Sequence, residues 1–185
     1  MAKCTEDEIM DALEETLKEK PFEKIRVRDI ITKCGVSRNT FYYHNNDLYD
    51  LLDKTLKRQQ ERLLEDVDSE TFNWKDGFTS ATKWLTKNKE TVKNVYGSRD
   101  LTMLEKYISA SIRTYVEEFV NDQAEGLNVS ISVVKDTITV ISAAIEGLII
   151  DWVRDGMKSD LVPFAERVTD VLQGAPRKIL EQYAK

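Results

Sequence analysis

Between Cys34 and Asp47 the chain runs CGVSRNTFYYHNND. Arg38 can fork onto a guanine edge, Asn39 can pair with adenine, and the Thr40 methyl can touch that of thymine. Ser37, followed by the first amides of a helix, suits a phosphate. The hydroxyls of Tyr42 and Tyr43 can also reach phosphates, and His44 ends the run as a polar group. A core segment rarely mixes Arg and Asn with Phe and Tyr, and a solvated helix rarely shows three consecutive aromatics. A surface that is both polar and flat, pressed against a nucleic acid, explains the mixture, although either Tyr could be partly buried instead. Competing chemistry is not spelled out. There is one His in the whole chain, with no HExxH, CxxC, nucleophile–base pair or phosphate loop. Neither an enzyme nor a cofactor nor a metal centre is expected.

Such a surface needs a rigid mount. Residues 27–33 predict a short helix with Ile30, Ile31 and Cys34 inward. Gly35 supplies the positive φ of a tight turn, and Val36 pins the two helices together. Ser37 then caps a helix from Arg38 to about Tyr43. Upstream, Thr5 and Glu8 have capping-box spacing, Ile9, Leu13 and Leu17 make one stripe, and Pro21 ends the helix. Downstream, Asn45-Asn46 breaks the chain before a longer helix from Asp47 to about Val67, whose apolar side holds Leu48, Leu51, Leu52, Thr55 or Leu56, and Leu63. The net charge of −6 argues against nucleic acid only as an average. Lys24, Arg26, Arg28, Lys33 and Arg38 oppose Asp29 alone, whereas the first helix is strongly acidic and reads as a solvated face.

The remainder predicts more helices, over 74–87, 89–96, 100–120, 133–155, 163–173 and 177–183, after a polar joint at 68–73. With 7 Gly and 3 Pro in 185 residues the balance favours an all-α chain. Gly97, Gly126, Gly156 and Gly174 fall near helix ends, where a left-handed residue is often needed. Val134, Ile138, Ile141, Ile145, Leu148 and Trp152 form one stripe; Phe164, Val168, Val171 and Leu172 form another. Both could be intrachain core or a dimer face. Cys34 reads as a small core residue, and Cys4 is too isolated to predict a disulfide. The acidic N-terminus does not read as a signal peptide, and the most apolar run, VISAAIEGLIIDWV, contains Glu146 and Asp151. A soluble, cytoplasmic protein is expected.

The stretch VRDIITKCGVSRNTFYYHNNDLYDLL resembles the DNA-binding region of the TetR/AcrR family of transcription regulators. YISASIRTYVEEFV and IEGLIIDWVRDGMKSD are similar, more faintly, to the dihydroxyacetone-kinase regulator branch. The resemblance implies a three-helix helix-turn-helix domain over residues 1–67, including the linking helix, and a larger helical effector-binding and dimerisation domain over 68–185. It places Arg28 on phosphate or base, Arg38, Asn39, Thr40 and Tyr42 in the groove, Tyr43 and His44 against the backbone, and Phe41 inward. It implies a homodimer on a palindromic operator in double-stranded DNA, with Ile145, Leu148, Phe164, Val168, Val171 and Leu172 at the interface. The helices around the family's cavity carry Trp84, Tyr96, Met103 and Leu104, then Tyr107, Ile108, Ile112 and Trp152. These are candidate contacts for a small-molecule effector of unknown identity, with ordinary core the alternative for each. A ligand-responsive repressor is expected; the alternative is a co-activator whose C-terminal domain binds a partner sensor protein. Two departures stand out. Asn45 replaces the family's usual Phe, and Leu48 replaces a phosphate-binding Lys.

Overall fold

The computed structural model describes residues 6–65, 74–97 and 101–185, all helical or in connecting turns. Cys4, Thr5, the joint at 68–73, the expected helix end at Val67 and Asp100 lie outside them. Helix α1 (Glu6–Glu19) opens on three acids, which complement its amide-rich end. It buries Ile9, Leu13 and Leu17, as the stripe requires. After Pro21 comes a 3₁₀ turn, Phe22–Lys24, that sequence periodicity did not reveal. It puts Phe22 and Ile25 into the core. Then follow α2 (Val27–Cys34), α3 (Arg38–His44), α4 (Leu48–Leu64), α5 (Trp74–Lys87), α6 (Lys89–Tyr96), α7 (Leu101–Ala124), α8 (Ile131–Arg154), α9 (Val162–Leu172) and α10 (Ala175–Glu181). Gly97 ends α6 at φ −72°, so it is not the left-handed residue its position suggested.

The chain forms two compact units, Met1–Glu61 with Asn88–Tyr107, and Arg62–Lys87 with Ile108–Lys185. Compactness therefore follows crossings inside α4 and α7 and at the α5–α6 junction, where a single cut at 67/68 was expected. In the first unit α1 packs on α2 and α6, and α2 on α3. Asn94 of α6 donates to the Leu17 carbonyl at 2.8 Å. Asp29 joins the end of α1 to the start of α2, accepting from Lys20 Nζ at 2.7 Å and the Arg26 amide at 2.8 Å. Lys20 above all, then the amide, holds the Asp29 carboxyl below its usual range.

The acidic face of α1 is not simply solvated. Arg58 of α4 reaches Glu14 at 2.6 Å, Asp11 at 2.7 Å and Asp7 at 3.5 Å, and its side chain is only 11% exposed. Burial opposes its charge, yet Glu14 and then Asp11 more than compensate and raise its pKa. Arg58→Met would leave the three carboxylates facing one another. Because Asp7 and Asp11 are largely exposed, the expected loss is about 1–3 kcal/mol of unfolding free energy, less than for a fully buried pair. Urea denaturation at low and high salt checks it: the deficit should shrink as salt screens the carboxylates. A variant as stable as wild type at low salt would contradict the account.

In the second unit α5 packs on α9, and α10 on α8 and α9. Trp74 stacks between Phe78 and Phe119, with centroids 5.0 and 4.9 Å away. Lys75 and Asp170 pair at 2.7 Å across α5 and α9. Arg177 of α10 donates to the carbonyls of Gln123 and Glu125 and so closes the end of α7. Among the described residues no helix is long and apolar enough to cross a membrane.

Candidate nucleic-acid interface

The candidate site is built on α2, a turn and α3. Gly35 sits at φ +73°, and its amide donates to the Ile31 carbonyl. No atom lies near the position a Cβ would take, so the demand for glycine is conformational and not steric. Ser37 Oγ accepts from the Thr40 amide at 3.0 Å, as a capping residue should. The Ser37 and Thr40 hydroxyls also lie 2.8 Å apart. Both side chains therefore serve α3 itself before they serve any partner.

Helix α3 divides its faces sharply. Phe41 is fully buried, whereas Tyr42 is 46% and Tyr43 85% exposed. Arg38 and Asn39 are exposed, as is Arg28 on α2. The Arg38 guanidinium lies 5.5 Å from the Tyr42 ring centroid, so the two make one flat, cationic patch. Tyr42 in turn stands edge-on to Phe41, at 5.2 Å between centroids. His44 is half-buried and edge-on to Tyr43. Cys34 and Ile31, expected inside, are half-buried. The Cys34 thiol donates to the Ile30 carbonyl of its own helix at 3.2 Å.

The two departures have different consequences. Asn45 is buried, in the place an apolar residue would take. Its Nδ2 reaches the Phe41 carbonyl only at 3.4 Å, and its Oδ1 has no hydrogen-bond partner. Leu48 is half-buried at the first turn of α4, where Asp47 Oδ1 accepts from the amides of Tyr49 and Asp50. Two nearby residues were missed in the sequence. Tyr49 is 45% exposed and packs edge-on against Phe22. Lys54 binds the end of α3, a role that a lysine in the middle of α4 does not announce.

The effector candidates are spread over both units. Tyr96, Met103, Leu104 and Tyr107 belong to the first, and Trp84, Ile108, Ile112 and Trp152 to the second. Leu104, Tyr107, Ile112 and Trp152 are buried, and the other four half-buried. Two polar tips are already engaged within the protein. Tyr107 donates to Asp53 at 3.0 Å, and burial, then this carboxylate, push its pKa up to about 12. Trp152 Nε1 donates to the Ser159 carbonyl at 3.0 Å. Glu146 accepts from Ser109 of α7, and Asp151 is exposed, 3.7 Å from Arg154. The six interface candidates do come together. Ile145, Leu148, Phe164, Val168, Val171 and Leu172 line one open groove of about 560 Å³ between α8 and α9. Leu148 is 46% and Val171 77% exposed there.

Residues 9–53 match a family model described as bacterial regulatory proteins, tetR family. Residues 72–174 match one described as transcriptional regulator C-terminal region. No curated protein matches the sequence. Among solved structures the fold is similar to that of the dihydroxyacetone kinase operon activator DhaS. The TM-score is 0.78 at 15% identity, over 97% of this chain and 98% of that one. The fatty acid degradation regulator FadR from Bacillus halodurans is similar at a TM-score of 0.66 and 17% identity, over 94% and 97%. FadR from Bacillus subtilis, in complex with stearoyl-CoA, is similar at 0.63 and 20%, over 91% and 97%. At these identities the structural likeness is one of fold.

Proposed function

Because the chain belongs to the TetR family of transcriptional regulators, we propose that it is a ligand-responsive, homodimeric repressor that acts in the cytoplasm on a palindromic DNA operator. The observation that carries this reading is the split on α3: Phe41 buried behind the Gly35 turn, with Arg38, Asn39, Tyr42 and Tyr43 outward. Outward groups at the start of a second helix are those that reach base edges in the major groove. Arg38 and Asn39 supply base-edge donors, and Thr40 a methyl. Tyr42 lies beside them in the groove. Arg28 supplies a contact to phosphate or base, and Ser37, Tyr43 and His44 supply contacts to the backbone or to phosphates. Residues 1–67 do the reading, and 68–185 the dimerisation and effector binding. The apolar groove between α8 and α9 supports a second copy as its occupant, since a palindrome needs two heads about 34–36 Å apart.

The effector is a small molecule held by the C-terminal part. The FadR relative in complex with stearoyl-CoA supports that class of control without naming the ligand. Such a ligand acts by binding one arrangement of the dimer more tightly than the other, so the heads leave the half-site spacing with no chemical step. The test uses DNA from upstream of the protein's own gene, in titrations of wild type and Tyr42→Ala. The variant should bind at least about tenfold more weakly, the effect of losing roughly 1.4 kcal/mol of groove contact. Equal affinities would remove α3 from the role of reading helix.

A further inference from the structure

The last carbonyl of α3 is bound by a cation from another helix. Lys54 lies one turn beyond Asp50 on α4. Its ammonium donates to the main-chain oxygen of His44 at 2.5 Å. It also pairs with Glu6 Oε1 of α1 at 2.7 Å and lies 3.8 Å from Asp50 Oδ2. Carbonyls at a helix C-terminus have no partner within the helix and carry partial negative charge, so a cation there is favourable. For α3 this matters more than usual. The helix has seven residues and buries one side chain, Phe41. Its start is held by Ser37 and its middle by Phe41. At its end the Asn45 amide donates to the Phe41 carbonyl at 2.9 Å, while the Asn45 side chain adds one long hydrogen bond and an unpartnered Oδ1.

We infer that Lys54 is a positioning residue for DNA recognition: it sets the pitch of α3 by tying the His44 carbonyl to α4 and, through Glu6, to α1. It acts on the reading helix and not on DNA. The inference rests on α3 being that helix. A lysine one-third exposed could alternatively serve as a direct phosphate contact, and the two roles differ in salt dependence.

A duplex selected by the wild-type protein from a random pool is the probe. Affinities of wild type, Tyr42→Ala, Lys54→Met, Lys54→Arg and Glu6→Gln are measured by fluorescence anisotropy over a range of salt, below every variant's melting temperature. Lys54→Met should bind about tenfold more weakly than wild type with an unchanged slope of log Kd against log salt, and Lys54→Arg should recover most of the loss. Glu6→Gln, which keeps the cation but loosens its tie to α1, should show a smaller loss of the same kind. Leu48→Lys calibrates the slope by adding a cation at the start of α4. A Lys54→Met slope lower by about 0.9, one phosphate's worth, would make Lys54 a DNA contact and overturn the inference. So would wild-type affinity in Lys54→Met, whatever its melting temperature. If the wild type selects no sequence, or Tyr42→Ala binds like wild type, the reading of α3 fails and this inference with it. If wild type selects DNA and Tyr42→Ala loses it, the Lys54 variants decide the Lys54 role alone.

Discussion

Phe41→Ala is expected to cost about 3–5 kcal/mol, the usual range for emptying a buried aromatic site. In a chain of this length that lowers the melting temperature by roughly 10 °C. The local reason is stronger than the average suggests. Phe41 is 0% exposed and is the one fully buried side chain of α3. Without it the seven-residue helix has its cap and the His44 tether but no apolar anchor, and helices this short do not hold themselves together. Tyr42, edge-on to Phe41, loses its support as well. Operator binding should therefore fall with stability, and differential scanning calorimetry beside DNA titration checks both. A variant melting within a degree or two of wild type would mean that α3 is held by something other than Phe41.

Val171→Asp is expected to abolish the proposed dimerisation while leaving the protomer folded. Val171 is 77% exposed, so aspartate there is solvated in the single chain and costs little. In the proposed dimer, with a second copy over the groove between α8 and α9, the same carboxylate would leave water for a lining that is apolar except for Arg167, at a cost of about 3 kcal/mol. A loss of about 3 kcal/mol already weakens dimerisation more than a hundredfold. Sedimentation at micromolar concentration should show a monomer with wild-type circular dichroism, and operator affinity should fall by orders of magnitude as one head loses its mate. A dimer that persists would move the interface away from this groove.

Much of the reading head is legible from residues that lie close together in the chain. The period of Ile9, Leu13 and Leu17, the stop at Pro21, the Gly35 turn and the Ser37 cap are local signals, and α1 to α3 follow them closely. The split of α3 into Phe41 inside and Tyr43 outside was implied only by the family resemblance, since the residues alone left open that either Tyr is partly buried. What the sequence concealed depends on distant partners. Arg58 meets Asp7, 51 residues away, which turns an acidic face into part of a network. Lys54 meets the His44 carbonyl, and no side-chain pattern marks a main-chain acceptor. The 3₁₀ turn at Phe22–Lys24 is too short for any period to show.

An all-helical chain and a turn-and-helix surface of recognisable type can be read from local signals. Caps, turns and the 3.6-residue stripe act within a few residues and need no distant partner. That α6 and the start of α7 cluster with the N-terminal helices emerges only from packing. So do the burial of Asn45 with an unpaired oxygen and the contact of the α3 end with a lysine from α4. Burial and long-range charge pairing depend on which surfaces meet, and that is set only when the helices pack.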